Sequence, residues 1–407
     1  MYMWLWWWST SLCVDLATDN LHQGDIMNNT TKLYSKNGNY CLSFSKTNPE
    51  NLANLVIRST KYDFLVWIAN RDQPVDLNSA VLSLNHSGVL KIESQNAKPI
   101  ILYSPPLNTN NTGYVRDPTS NGDTTKIEYI TETQPSFEEL GLNPKSNNIV
   151  ATLLDTGNFV LQQLHPNGTK ILLWQTFDYP AEVLVPGMKL GVNHRTGHKW
   201  SLISRLTDPI RTPGAFRLEW EPVRGELIIK RREKVYWQSG ELRNKKFEHI
   251  PKEVQLFYQY NVLSNSDDDS FTLTTLNGKF THWILLETGQ LSSNEGDIAR
   301  ADMCYGYNTD GGCQRWEAIS TCRQFGDVFE KMMGNPNIDN VIIESNVTYG
   351  SSDCMASCWT NCSCTGFKSL YHNGTGCIFF LLNSMEGVAL DSIQAIFYML
   401  VKKTQHN

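Results

Sequence analysis

Residues 149–164 read IVATLLDTGNFVLQQL, and residues 81–92 read VLSLNHSGVLKI. In each stretch apolar and polar residues alternate on either side of a short polar turn, Asp155-Thr156-Gly157-Asn158 in one and Asn85-His86-Ser87-Gly88 in the other. A period of two is the strand period, and a glycine-bearing turn between two such runs is hairpin grammar. A strand-turn-strand unit that recurs along the chain predicts an internally duplicated all-β domain, in which each sheet covers its neighbour's apolar face. Periodicity of 3.6 residues is scarce in this half, so helix content should be low.

Working outward, the stretch between the two hairpins, Tyr103 to Asn148, is rich in Pro, Asn, Thr and Gly and predicts a long exposed loop. The whole chain has 407 residues, 41% of them hydrophobic, which is enough to bury two or three separate cores and predicts several domains. A net charge of -6 offers no basic field for phosphates, and the basic runs are short: Lys230 to Arg232, and Lys402 with Lys403. These runs read as solvated faces, and no nucleic-acid partner is expected.

Of the ten cysteines, Cys304, Cys313, Cys322, Cys354, Cys358, Cys362, Cys364 and Cys377 crowd into one stretch, while Cys13 and Cys41 stand apart. Such crowding predicts a small module stapled by disulfides in an oxidising compartment. A zinc site is the alternative, but no pair of well-separated C-x2-C knuckles is present and His372 stands alone near the cluster.

The opening MYMWLWWWSTSLCVDLA is apolar enough for a secretory signal, although it lacks a basic start and a clean cleavage site; residues 1–17 read as a damaged signal ending near Ala17. No other run reaches the ~18 to 20 apolar residues that span a bilayer, Ile393 to Val401 included. Asn-x-Ser/Thr acceptors at Asn28, Asn29, Asn85, Asn110, Asn167, Asn346, Asn361 and Asn373 are glycosylation candidates. Asn167 and Asn373 precede turn-forming Gly168 and Gly374, which predicts exposed loop tips.

Three ordered segments, VWIANRDQPV (Val66 to Val75), LLDTGNFVL (Leu153 to Leu161) and LWQTFDYPAEVLVPGMKLG (Leu173 to Gly191), resemble the bulb-type lectin head of plant S-domain receptor-like kinases and S-locus glycoproteins. Downstream, DPIRTPGAFRLEWEP and VYWQSGELRNKKFEHIP resemble the S-locus glycoprotein region, and DCMASCWTNCSCTGF followed by GTGC resembles the PAN/apple module. The resemblance runs from about Asp19 to Val401 and implies a mainly β architecture. Its parts are tandem β-prism II lectin sheets over 18–195 with an insertion at 103–148, a β-rich S-locus region over 196–300, a reduced EGF-like segment over 301–323, and a small α+β PAN module over 324–403. Within these segments Trp67 and Trp174 stand in apolar strand runs and are expected in the core. Arg71 is expected to pair with its neighbour Asp72 and fix a strand end, after which Pro74 blocks the ladder.

Mannose-binding members of the family use a Q-x-D-x-N-x-V-x-Y strand, whose polar side chains alternate onto one face. Strict spacing from Asp155 places Leu153, Gly157, Phe159 and Leu161 at the other positions, so Gln, Asn and Tyr are missing. A one-residue shift recovers Asn158 and Val160 but puts Asp155 out of step. Asp155, Asn158 and Val160 are therefore the candidate carbohydrate-contacting residues of a site that reads as degenerate; in the first hairpin Asn85, Gly88 and Val89 correspond only loosely.

At the cysteine-rich end Cys354 and Cys358 are four apart, which puts both on one face of a short helix that Asp353 could cap. The family resemblance implies bridges Cys354 with Cys377, Cys358 with Cys364, Cys362 with Cys322, and Cys304 with Cys313. If Cys13 is removed with the signal, Cys41 is left odd and is expected as a buried free thiol. The kinase motifs G-x-G-x-x-G, H-R-D and D-F-G are absent, as is G-x-S-x-G, so no catalytic residue is assigned. Asp267 to Asp269 and Glu138 with Glu139 read as solvated acids, and no metal or cofactor is expected. The leading expectation is an extracellular ligand-recognition ectodomain, for an unknown protein, small-molecule or glycan ligand, able to form homo- or heterodimers with S-domain receptors through the PAN module. The alternatives are a secreted mannose-binding lectin and a truncated product of a receptor kinase gene, because the sequence stops at Asn407 where a PAN module should end. A secreted or cell-surface location follows from all three.

Overall fold

Both expected hairpins close in the same way. Leu154 N–H donates to Asn158 O and Gly157 N–H returns to Leu154 O, both at 2.9 Å; Asn85 N–H to Val89 O and Gly88 N–H to Asn85 O repeat the pattern at 3.0 Å. This is a three-residue loop ending on a left-handed residue, which only glycine adopts without strain. Gly157 has φ +84°, and a Cβ there would stand 2.8 Å from the Tyr40 ring. The same pair of bonds closes His165–Thr169, Leu286–Gln290 and Tyr371–Thr375, so one local device is reused along the chain.

The computed structural model describes residues 18–47, 51–62, 64–106, 148–276, 278–316, 322–338, 340–381, 385–389 and 395–402. The expected leader at 1–17 with Cys13, most of the 103–148 insertion with Asn110, Glu138 and Glu139, and also Lys403, lie outside the described residues. Among them the chain is mainly β, with two α-helices, Lys252–Gln255 and Ser351–Thr360. No described helix is long and apolar enough to cross a membrane.

Two compact units are present. One holds the described residues up to Ser43, Ile57–Phe64 and Ser79–Leu173; the other holds Phe44–Val56, Leu65–Asn78 and those from Trp174 onward. In the first unit, Asn20–His22, Ile149–Leu153 and Phe159–Leu164 line up in one antiparallel sheet, and Ile100–Tyr103, Leu90–Glu93, Val81–Leu84 and Ile26–Asn28 in another. Gln23 ties the two hairpins, donating to His86 O (3.0 Å) while accepting from Ile149 N–H (3.0 Å). Leu21, Ala151, Leu153, Phe159, Leu161, Leu82, Leu90 and Ile92 are essentially inaccessible and form its apolar interior.

Among the described residues the second unit has three four-stranded antiparallel sheets and a six-stranded one. Strand pairing runs across the expected domain boundary at 195/196: Val183–Leu184 pairs with Trp283–Leu285, and Leu190–Asn193 with the strand Asp268–Thr275. The third sheet joins Leu202–Arg205, Pro213–Glu221, Glu226–Arg231 and Lys234–Gln238. Trp67 and Trp174 are buried, edge to face at 6.0 Å, as core residues.

Arg71 corrects the expected pairing with Asp72. Its side chain turns inward, donating to Arg211 O (2.8 Å), Ile203 O (2.8 Å) and Ser204 O (3.0 Å), and meets Glu182 at 3.3 Å, whereas Asp72 is exposed. Consecutive residues at a strand end point apart, so the partner had to come from elsewhere. Burial pulls the Arg71 guanidinium down to about 10, still charged at neutral pH, with Glu182 acting against the shift. Glu182 also receives Arg205 (3.3 Å) and Arg211 (2.8 Å).

In the six-stranded sheet the order runs Val341–Glu344, Cys377–Leu381, Cys364–Ser369, Ala395–Lys402, Asp327–Ile338 and Met385–Ala389. Ser351–Thr360 packs over it through Cys354, Cys358 and Trp359, meeting Phe329, Phe367 and Phe379. The bridges are Cys304–Cys313, Cys322–Cys362, Cys354–Cys377 and Cys358–Cys364, the pairs that the resemblance implied. Cys41 is a buried free thiol, and burial raises its pKa.

Asp353 sits three residues inside the helix and accepts from the N-cap Gly350 N–H (3.1 Å). The basic run expected to be solvated is instead engaged: Arg232 grips Asp353 in bidentate fashion (2.9 and 3.2 Å), Arg231 adds a third bond (3.1 Å), and Lys230 pairs with Glu219 (2.6 Å). At the other helix end buried Arg323 donates to the carbonyls of Cys358, Trp359, Asn361 and Cys364 at 2.7–3.0 Å.

Two stability predictions follow from these contacts. Glu182→Ala takes the shared carboxylate from three guanidinium groups and leaves buried Arg71 without a counter-charge, which should cost about 3–5 kcal/mol, whereas Glu287→Ala, at the half-exposed rim of the same network, should cost less than ~1 kcal/mol; urea midpoints of the two variants check this. Loop-closure entropy ranks the bridges: replacing Cys322 and Cys362 with Ser opens a separation of 40 residues and should cost about 4 kcal/mol, against about 2 kcal/mol for Cys358–Cys364 at a separation of 6. Equal losses from the two pairs in the same denaturation series would contradict that ranking.

Candidate functional site

A lectin-type site needs several polar side chains on one open strand face. In the sheet that carries the LLDTGNFVL segment, cross-strand rows put Asn20, Thr152 and Val160 side by side, and next to them His22, Val150 and Gln162. Directly paired residues share a face. The opposite face carries Leu21, Ala151, Leu153, Phe159 and Leu161 into the core.

The three candidate carbohydrate residues lie on or next to this sheet but do not converge. Asp155 is on the exposed turn, and its carboxylate accepts the Asn37 backbone N–H at 2.8 Å. Asn158 and Val160 are two apart and share the non-core face, yet only 7% and 3% of their surface is accessible, leaving little for a sugar ring to touch. Counting from Asn158 at every second position gives Leu154, Thr156, Val160 and Gln162, of which only Val160 matches the mannose-binding pattern. In the first hairpin Asn85 Oδ1 is taken up by Ser87 N–H (3.0 Å), Ser87 Oγ (2.8 Å) and Val89 N–H (2.9 Å), so that side chain shapes the turn.

The accessible polar groups on this face are others: Asn20 and Thr152, half-buried and joined by Thr152 Oγ1 to Asn20 Oδ1 at 2.6 Å, together with Gln162 and exposed His22. Gln162 was within reach of the alternation rule. Asn20 and His22 had no local signal, because they enter through pairing with Val150–Thr152 far along the chain.

The acidic run expected to be solvated is instead partly engaged: only Asp267 is exposed, buried Asp268 pairs with Lys189, and Asp269 pairs with His194 (2.8 Å). Six of the described sequons, all but Asn29, share one geometry, in which the asparagine Oδ1 accepts the backbone N–H two residues on: Asn28 from Thr30 (2.9 Å), Asn85 from Ser87, Asn167 from Thr169 (2.9 Å), Asn346 from Thr348 (2.9 Å), Asn361 from Ser363 (3.0 Å) and Asn373 from Thr375 (3.1 Å). Asn167 and Asn373 are exposed, as their turns predicted.

Comparison with known proteins agrees with this architecture. Residues 129–206 match the D-mannose binding lectin family and residues 322–385 the PAN-like domain. A G-type lectin S-receptor-like serine/threonine-protein kinase of Arabidopsis thaliana is 28% identical over 88% of this chain and 40% of its own length. S-locus-specific glycoprotein BS29-2 of Brassica oleracea var. alboglabra is 26% identical over 77% of this chain and 74% of its own length. S-locus-specific glycoprotein S6 of Brassica oleracea is 27% identical over 87% and 84%. The chain is a homologue of the G-type lectin S-receptor-like kinases and S-locus glycoproteins. It spans about two-fifths of the length of the receptor kinases matched first, and within these 407 residues the matched domains are lectin and PAN-like, not kinase. For an S-domain homologue, disulfide-rich domains of extracellular type are the expected build.

Because Asp155 holds a backbone N–H, Asp155→Ala should lower the denaturation midpoint by the equivalent of about 1–2 kcal/mol. His22→Ala, on the exposed part of the same face, should stay within ~0.5 kcal/mol of wild type in that assay.

Proposed function

We propose that this chain is an extracellular recognition module: a lectin-like and S-locus scaffold that presents a ligand-binding surface, followed by a PAN module that pairs with a second S-domain protein. The observation that carries the reading is the alignment with S-locus-specific glycoprotein S6, which runs through both domain types and covers most of each chain. The four disulfides, which persist in oxidising compartments, support a secreted or cell-surface location on the outer side of the plasma membrane. Its ligand is an extracellular protein, small molecule or glycan.

A second reading, a mannose-binding lectin, draws on the D-mannose binding lectin match over residues 129–206. Against it stand the burial of Asn158 and Val160 and the commitment of Asp155 to the Asn37 backbone. Titration of the secreted protein with mannose, alongside a glycan array, separates the two. The expected result is no saturable mannose binding. Saturable binding that disappears in an Asp155→Ala, Asn158→Ala double variant would install the lectin reading instead.

A further inference from the structure

The outermost strand of the six-stranded sheet, Val341–Glu344, pairs only with Cys377–Leu381 among the described residues, so its other edge carries open backbone groups. It is also apolar and accessible on both faces: Val341 is 38% exposed, Ile342 45% and Ile343 59%, and Val347 just beyond is 60% exposed. An accessible apolar edge without lysine or proline is a template for pairing with another chain, and natural proteins blunt such edges. Glu344 alone supplies a charge at the strand end.

Asn346 lies three residues past Ile343, at most about 10 Å of chain away. It is exposed, on the loop between this strand and the helix Ser351–Thr360. Its Oδ1 is held by Thr348 N–H (2.9 Å) and Thr348 Oγ1 (2.8 Å), its own N–H is anchored on Glu344 (3.0 Å), and Thr348 O is pinned by Arg232 (3.0 Å). Nδ2 makes no hydrogen bond among the described residues and is left on the outside. The loop is thus tied by hydrogen bonds at both ends, with one amide nitrogen presented beside the apolar edge.

We propose that Asn346 carries an N-linked glycan that shields the Val341–Glu344 edge and prevents this sheet from pairing through it. The transfer is redox-neutral: Asn346 Nδ2 forms a bond to the anomeric carbon of a polyprenyl-diphosphate-linked oligosaccharide, the anomeric C–O bond breaks, the diphosphate leaves, and the amide gives up one proton. A bulky hydrated chain rooted there occupies the space a pairing strand would need. Pairing of the PAN module with a partner then uses another surface. The proposal rests on the secreted reading above, since the donor is met only in the secretory pathway.

The test uses the full chain expressed in plant cells and recovered from cells and medium together, with glycopeptide mass spectrometry at Asn346, Asn167 and Asn373 and light scattering for association. The expected result is an occupied Asn346, with Asn346→Gln or enzymatic deglycosylation of the folded protein at least doubling the apparent mass relative to wild type. Adding Ile343→Lys should restore the wild-type mass. An unoccupied Asn346 beside occupied Asn167 or Asn373 overturns the shield alone, as does an occupied Asn346 whose loss leaves association unchanged. No occupancy at any of the three overturns the secreted reading with it.

Discussion

One buried carboxylate organises the second unit. Glu182 receives Arg71, Arg205 and Arg211, and Arg71 spends its remaining donors on the carbonyls of Ile203, Ser204 and Arg211. A charge this far from water is tolerable only when fully paired, so the four side chains hold one another in place. Arg71, Glu182 and Arg211 come from three of the segments that looked like independent signatures, VWIANRDQPV, LWQTFDYPAEVLVPGMKLG and DPIRTPGAFRLEWEP, and Arg205 lies just ahead of the last. Asn70, next to Arg71, completes the arrangement by accepting from Leu55 N–H (2.8 Å) and donating to Ala53 O (3.2 Å) and Gln73 O (2.9 Å). The motif residues are therefore spent on the scaffold, so the family signal they carry is a signal of fold.

The PAN-like module repeats the logic on a smaller core. Its helix Ser351–Thr360 has an acidic clamp at the positive end of its dipole, Asp353 under Arg231 and Arg232, and a basic one at the negative end, Arg323 under four carbonyls. Cys354 and Cys358 then bolt the same helix to the strands that follow. Orientation of the helix is thus set by charge and covalent bonds in addition to the apolar packing of Trp359 against Phe329.

Much of the fold was legible before any coordinates. The two hairpins followed from alternation and a turn glycine, Trp67 and Trp174 from their apolar surroundings, and Cys354 with Cys358 from helical spacing. The candidate site was less so. Alternation could say that Asn158 and Val160 share a face but not that the face is closed over them, because burial depends on what packs above a strand. The basic run at Lys230–Arg232 misled for the same reason: its partner Asp353 lies more than a hundred residues away.

What the sequence by itself determined is the set of properties that act over a few residues: strand and turn periodicity, the sequon positions, and the abundance of cysteine that calls for an oxidising compartment. Only the tertiary structure decided where each buried charge finds its counter-charge, that strands on both sides of residue 195 pair into common sheets, and which polar groups stay accessible. Those outcomes are pairwise contacts between distant segments, and a local pattern carries no information about which distant residue will satisfy a buried hydrogen bond or charge.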